Sequence, residues 1–192
     1  MTNFLGNIGC ETLRRGSAVV NVDGRTALIG DSDVKVFDHS SHPSLTLTTR
    51  GRAQAAGFAS RANVLFTLEG SHTIKLWSGT DGHSVKVIHS DSKLRKAKID
   101  PTGQVVAAFG DTNVIWLWHL ESDEPPSSIT WSRTKVAGIG FDHDGSRMVA
   151  IDEAEHIVVY PAKDKDLIDN ARVLARRACQ DYPGLDLCQP NR

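Results

Sequence analysis

Cysteine, net charge and long apolar runs are all scarce in this chain. Its 192 residues include only Cys10, Cys179 and Cys188, an odd number without the clustering of a metal site or a disulfide framework. The formal net charge of -1 argues against wholesale binding to nucleic acid or to anionic membranes. The longest apolar stretch, residues 105–109, is too short to span a bilayer, and the N-terminal sequence lacks a signal-peptide pattern. These absences predict a cytoplasmic protein that binds neither nucleic acid nor membrane.

Motifs for nucleotide binding and catalysis are missing as well. No Gly-Lys-Ser or Gly-Lys-Thr phosphate loop occurs, and Gly138-Ile139-Gly140 fails as a dinucleotide fingerprint because His143 stands where glycine is needed. The densest group of possible metal ligands is Asp38, His39 and His42, in a segment that we interpret as a solvated loop. Zinc needs three or four converging ligands. We therefore expect no metal, no cofactor and no catalytic residue.

What is present is a repeat. Four apolar segments each end in an aromatic residue, and the aromatics follow one another at intervals of 40, 41 and 42 residues: Phe37, Trp77, Trp118 and Tyr160. Before each segment, an apolar pair precedes a turn. Three of these turns contain the Asp and Gly that tight hairpins favour, with glycine at Gly24, Gly103 and Gly145. These aromatics and glycines define the repeat.

Each repeat predicts four strands. A mainly apolar run follows each turn, at 26–29, 64–68, 105–109 and 148–151, as expected of a strand buried on both faces. The aromatic segment forms the third strand, and weaker fourth strands follow at 45–48, 85–88 and 128–131. A period in the low forties with four short strands is typical of a propeller blade. A β-sandwich with evenly spaced strands is the alternative, but the preserved register of aromatic and turn disfavours it.

The repeats resemble the WD-repeat β-propeller family. The resemblance is carried by Ile99-Asp100-Pro101-Thr102-Gly103 with Trp118, by Phe141-Asp142-His143-Asp144-Gly145 with Tyr160, and by Ile74-Lys75-Leu76-Trp77. No repeat has the family's Gly-His pair, and the Asp after the aromatic survives only as Asp38. The resemblance therefore implies that the hydrogen-bonded tetrad of many family blades is incomplete here.

The predicted fold is all-β, with four WD-like propeller blades and a short C-terminal α-helix. We expect an N-terminal segment at 1–16, blades at about 17–51, 52–92, 93–133 and 134–162, and a helix with a tail at 163–192. Blade four lacks a fourth strand, which residues 8–12 could supply. That pairing would close a ring of four blades, or one of eight blades from two copies. The chain could equally be part of a longer, partial propeller.

The C-terminal stretch predicts an amphipathic helix with an apolar stripe at Leu167, Ala171, Leu174 and Ala178. Docking of this helix against the propeller flank is favoured over binding to a partner. A propeller followed by such a helix resembles the ends of bacterial multidomain WD-repeat proteins, in which signalling ATPase or protease-like modules precede the propeller.

A basic patch and an unusual tryptophan are the candidate interaction residues. Lys93, Arg95, Lys96 and Lys98 begin blade three, where a solvated strand face is the default interpretation and binding of an acidic peptide or a phosphate is the alternative. Trp116 replaces the lysine of earlier blades and is expected to point away from Trp118. Filling of the space between blades is favoured for this side chain over an exposed contact.

Three functions are compatible with the sequence. We expect a non-catalytic scaffold for a protein partner, among which a second copy of the chain is one candidate. The alternatives are the sensor end of a bacterial signalling or defence ATPase and, less favoured, a metal-dependent propeller hydrolase.

Overall fold

The computed structural model describes residues 17–130 and 134–163, and within these ranges the regular elements are all β-strands. The chain divides into two compact units at the Ser92–Lys93 boundary. Each unit holds two antiparallel sheets, so the prediction of an all-β fold with four WD-like blades is confirmed. The predicted strand at residues 8–12, the C-terminal helix and the tail lie outside the described residues.

The first unit contains blades 1 and 2, whose strands pair in chain order. Blade 1 comprises β1 (Ser17–Val20), β2 (Thr26–Ile29), β3 (Asp33–Phe37) and β4 (Leu45–Thr48). Blade 2 comprises β5 (Ala53–Ala59), β6 (Val64–Glu69), β7 (Thr73–Ser78) and β8 (Ser84–His89).

The second unit contains blades 3 and 4. Blade 3 comprises β9 (Leu94–Ile99), β10 (Val105–Gly110), β11 (Val114–His119) and β12 (Ser127–Thr130). Blade 4 comprises β13 (Val136–Phe141), β14 (Arg147–Asp152) and β15 (Ile157–Pro161). Among the described residues, this last sheet has three strands where the others have four.

Polar turns close the blades at the predicted places. In blade 3 the buried Asp100 carboxylate accepts hydrogen bonds from the backbone amides of Gln104 and Val105, both at 2.7 Å, and of Thr102 at 3.1 Å. These bonds satisfy backbone donors at the start of β10, a strand whose residues are all buried. In blade 1 the turn begins earlier than predicted, because Asn21 and Arg25 already close it. The first strand therefore ends at Val20 and leaves Val22 in the turn.

Within the first unit, one face of blade 1 packs against one face of blade 2. We call the face that meets the following blade the forward face, and the face that meets the preceding blade the rear face. The forward face of blade 1 consists of Ala27, Ile29, Val34, Val36 and Leu47. The rear face of blade 2 consists of Ala53, Ala56, Phe58, Leu65 and Trp77.

The second unit repeats this junction with different side chains. The forward face of blade 3 consists of Val105, Ala107, Phe109, Ile115, Leu117 and Ile129. The rear face of blade 4 consists of Val136, Ile139, Phe141, Met148, Ala150, Tyr160 and Ala162. Because both junctions bury apolar side chains from two sheets, each blade depends on its neighbour for much of its stability.

Candidate interaction surfaces

The predicted basic patch lies on β9, the first strand of blade 3. Lys93, Arg95, Lys96 and Lys98 are all exposed. Leu94, Ala97 and Ile99 from the same strand are buried beneath them. The strand thus presents a row of cations from a backbone that is anchored in the core.

A β-bulge shapes this row. In the ladder between β9 and β10, Lys96 lies opposite Phe109 and Leu94 lies opposite Gly110, so Arg95 is the extra residue. Arg95 and Lys96 are consequently exposed side by side, although neighbouring residues on a regular strand point to opposite faces. Gln54 in β5 and Ala137 in β13 are extra residues at equivalent ladder positions. The sequence carried no turn residue that would have revealed these bulges.

Two of the four cations form an ion pair or a hydrogen bond through their side chains, and two do not. Arg95 Nη1 lies 2.8 Å from Asp111 Oδ1 in an exposed ion pair, which contributes little to stability. Lys96 Nζ donates to the backbone oxygen of Ala137 at 2.9 Å and lies 5.9 Å from the centre of the Phe109 ring. Lys93 and Lys98 have no hydrogen bond or ion pair from their side chains within the part of the chain that is described. Their ammonium groups are therefore available to a partner.

Trp116 is half-buried on β11, and the expected direction of its side chain was wrong. Trp116 lies opposite Ala108 and Trp118 opposite Val106, so the two tryptophans, two residues apart, share one face of the sheet. At the equivalent positions of blade 2, Lys75 Nζ lies 3.8 Å from the centre of the Trp77 ring. The indole Nε1 of Trp116 is shielded from water and has no hydrogen-bond acceptor among the described residues.

A buried polar network links two strands of blade 2 to the loop that precedes the blade. Trp77 Nε1 donates to Thr67 Oγ1 at 2.9 Å, and the Thr67 hydroxyl donates to Glu69 Oε1 at 2.9 Å. The second carboxylate oxygen, Glu69 Oε2, accepts from the backbone amide of Arg50 at 3.0 Å. The network thus joins three strand residues to the loop that enters the blade. Glu69 stands out in the sequence as an acid at the end of an apolar strand.

Asp152 occupies the corresponding place in blade 4. It lies at the end of β14, is buried, and accepts hydrogen bonds from the backbone amides of Ala154 and His156, both at 2.9 Å. Its second oxygen bonds to the Thr134 hydroxyl and lies 3.1 Å from His156 Nδ1. A carboxylate at this position therefore fixes the loop conformation in two blades.

A pocket of about 450 Å³ opens on the rear face of blade 2. It is lined by Arg50, Glu69, Gly70, Thr73, Lys75, Val87 and His89. Its lining carries two cations, Arg50 and Lys75, and one carboxylate, Glu69, which accepts two hydrogen bonds.

The residues that define the repeat lie at equivalent places in the sheets. Trp77 and Trp118 are buried, whereas Phe37 and Tyr160 are half-buried. Burial raises the pKa of the Tyr160 hydroxyl above its ordinary value.

The repeat-defining glycines lie in the turns: Gly24, Gly103 and Gly145 adopt φ values of 87°, 73° and 72°. A Cβ on Gly145 would lie 2.3 Å from Asp100 Oδ2, so a side chain there would displace the neighbouring turn.

The histidine-rich loop of blade 1 does not gather ligands. Asp38, His39 and His42 are all exposed, and His39 packs so closely on the turn that a Cβ on Gly24 would lie 2.4 Å from its Cε1 atom. In residues 17–130 and 134–163, no three His, Cys, Asp or Glu side chains converge as a metal site would require. The same residues contain no helix that is long and apolar enough to cross a membrane.

These features define the class of the protein as an all-β chain of WD-like blades. No family model matches the chain. Over 88 residues, 44% of its length, it is 30% identical to the Target of rapamycin complex subunit LST8 of Bos taurus and 28% identical to that of Mus musculus. The matched part is 27% of the length of each relative. Together with the WD-like blades, this partial similarity supports a relationship to WD-repeat proteins.

Proposed function

We propose that the chain is a non-catalytic scaffold that binds a protein partner through the basic strand β9. Four exposed cations, three on the anchored strand β9 and Lys93 directly before it, carry this proposal. The buried side chains of Leu94, Ala97 and Ile99 hold the strand in place, so little backbone conformational entropy is lost when a partner docks. Lys93 and Lys98 keep their charges available among the described residues. An acidic segment of another protein is the complementary surface.

The partial relatives support the same kind of function. Their name describes them as subunits of a complex, and we extend to this chain only the general property of assembling with other proteins. A cytoplasmic location is part of the proposal, since three unclustered cysteines suit a reducing compartment. A second copy of the chain is a further candidate partner.

Charge reversal at Lys98 tests the proposal. The tagged wild-type chain, the Lys98→Glu variant and the Arg61→Glu variant are each used to capture proteins from a lysate of the source cells. Arg61 is an exposed cation in the turn between β5 and β6, so its reversal is a control of equal charge change. We expect Lys98→Glu to weaken capture of the principal acidic partner about tenfold, or by about 1.4 kcal/mol, because it replaces an attraction with a repulsion.

The salt dependence adds a second readout. Capture by the wild-type chain should fall as salt is raised, since the proposed contact is between exposed charges. If both variants capture the same proteins as the wild type does, the basic strand is not the binding surface and the proposal is wrong.

A further inference from the structure

Within residues 17–130 and 134–163, exposed apolar side chains lie on one face of blade 1 and on one face of blade 4, which we call the end faces. On blade 4, Ile157 is 64% exposed, Val159 54% and Val149 36%. On blade 1, Val20 is 68% exposed, and Val22 in the adjoining turn is 90% exposed. Terminal repeats of stacked proteins usually carry a polar outer face, since an apolar one is left in water. Among the described residues, the end faces of blades 1 and 4 carry apolar side chains instead.

The end face of blade 4 is its forward face. The strand ladders place Val149 opposite Val159 and Ile151 opposite Ile157. The same ladder positions in blade 1 hold Ala27 with Val36 and Ile29 with Val34, and in blade 3 they hold Ala107 with Leu117 and Phe109 with Ile115. In blades 1 and 3 these residues are buried against the following blade. Blade 4 therefore presents a surface that is built to receive a blade.

The exposed apolar face of blade 1 is its rear face. In each junction within a unit, a rear face is the surface that packs against a forward face. Ala18 pairs with Leu28, Val20 with Thr26, and Thr26 with Phe37. The same ladder positions in blade 2 hold Ala56, Phe58, Leu65, Thr67 and Trp77, which belong to its rear face. In the part of the chain that the structure describes, blade 4 thus has an exposed forward face and blade 1 has an exposed rear face.

We propose that the forward face of blade 4 docks onto the rear face of blade 1 in a second copy of the chain. The occupant follows from the structure, because both junctions inside the chain join a forward face to a rear face. Two copies that dock on each other cover both faces of both chains. We therefore infer a symmetric dimer that is held by two equivalent contacts.

The charged residues on the rear face of blade 1 are compatible with docking. Lys35 lies on this face, opposite Leu28 and Thr46, and its Nζ atom lies 3.8 Å from Oδ2 of Asp33 on the same face. Lys75 holds the equivalent position on the rear face of blade 2, where its Nζ atom lies over the Trp77 ring beside a formed junction. The existing junction therefore accommodates a lysine at this point of the face.

The molar mass in solution tests the proposal. Light scattering coupled to size-exclusion chromatography should give the full-length wild-type chain twice the mass of one copy. Val20→Asp and Val159→Asp should each reduce the mass to that of a single copy. Val85→Asp is the matched control, because Val85 is also an exposed valine, 62% accessible, but lies on β8 away from both end faces. Far-ultraviolet circular dichroism should show that all three variants keep their strands.

Mixing the two disrupted variants tests whether blade 4 of one copy contacts blade 1 of the other. The Val20→Asp chain keeps an intact blade 4, and the Val159→Asp chain keeps an intact blade 1, so their mixture can form one undamaged interface. We expect the mixture to recover mixed dimers that neither variant forms alone.

Three outcomes would overturn the inference. A monomeric wild-type chain at micromolar concentration would show that something else covers these faces. A Val20→Asp variant that remains dimeric would point to contact between two copies of blade 4. Dissociation of the Val85→Asp control would show that the effect is not specific to the end faces. Lys98→Glu should keep the doubled mass, so loss of partner capture and loss of pairing are distinguishable.

Discussion

At the scale of single residues, the blades share a framework but differ in the polar groups they bury. The aromatic position at the end of the third strand holds Trp77 in blade 2, where its indole is bonded to Thr67. The position of Thr67 is taken by Leu28 in blade 1 and by Ala108 in blade 3, neither of which has a hydroxyl. The network of Trp77, Thr67 and Glu69 is therefore particular to its blade.

Replacing Thr67 by valine should lower the stability of the folded protein. Thr67→Val keeps the shape of the side chain but leaves the buried Trp77 N–H without an acceptor and removes a donor from Glu69. We expect the free energy of unfolding to fall by about 2 kcal/mol, since an unsatisfied buried polar group costs about 1–3 kcal/mol. Urea unfolding followed by tryptophan fluorescence measures the loss. Thr46→Val, at an exposed position of β4, is the control and should change stability by less than about 0.5 kcal/mol.

The turn of blade 4 contains a carboxyl group with an altered acidity. The Ser146 hydroxyl, placed between two carboxylates, and the Ser146 amide, 2.8 Å from Asp144 Oδ1, lower the pKa of Asp144 from 3.8 to about 2. Because the pKa of the folded state is the lower one, the stabilisation is fully present above the unfolded value. It is lost as the pH falls from 3.8 towards 2.

Ser146→Ala should therefore raise the pKa of Asp144 towards its ordinary value. Carboxyl carbon chemical shifts followed by nuclear magnetic resonance between neutral and acidic pH would show the change. Ser41→Ala, in a loop of blade 1, should leave the Asp144 titration where it is in the wild type. An unchanged titration in Ser146→Ala would mean that the hydroxyl does not hold the carboxylate in its charged form.

At the scale of the strand, a recurring irregularity governs what the first strand of a blade displays. Blades 2, 3 and 4 each have a β-bulge near the start of this strand, at Gln54, Arg95 and Ala137. In blade 3 the neighbouring strand approaches so closely that a Cβ on Gly110 would lie 1.8 Å from the Lys93 backbone oxygen. Glycine at this position therefore allows the bulge to form and holds the basic strand in its register.

Gly110→Ala should displace the start of β9 and lower stability by about 1–3 kcal/mol, the usual cost of overpacking. Thermal unfolding measures the loss, and amide hydrogen exchange should show faster exchange in residues 93–96. Gly140→Ala is the matched control, because it also lies in a strand and no atom lies within 4 Å of the position its Cβ would take. Equal behaviour of the two variants would contradict the proposed role of Gly110.

Much of the fold could be predicted from the sequence, because spaced aromatics, Asp-Gly turns and apolar runs reflect local strand geometry. The prediction of β2 at 26–29 and β4 at 45–48 matches the strands that form. The bulge at Arg95 could not be predicted, since it depends on the register between two strands and on the absence of a side chain at Gly110. The direction of Trp116 was predictable and was misjudged, because residues two apart on a strand share a face.

At the scale of the whole molecule, the two units are built by one rule. Blade 1 with blade 2, and blade 3 with blade 4, each bury a forward face against a rear face of the following blade. Side chains differ between the junctions, with Trp77 at one and Tyr160 at the other. The geometry of the backbone ladder, more than any individual contact, is therefore what the repeats have in common.

The tight turns also bear on how the polypeptide ages chemically. Asp-Gly is the dipeptide at which a backbone nitrogen most readily attacks the preceding carboxyl group, with isoaspartate as the eventual product. This chain has three such pairs, Asp23-Gly24, Asp81-Gly82 and Asp144-Gly145. In every one the glycine nitrogen is already donating to a carbonyl within its turn, at 3.0, 3.0 and 3.2 Å. The folded conformation thus restrains the attacking atom and slows covalent damage at all three sites.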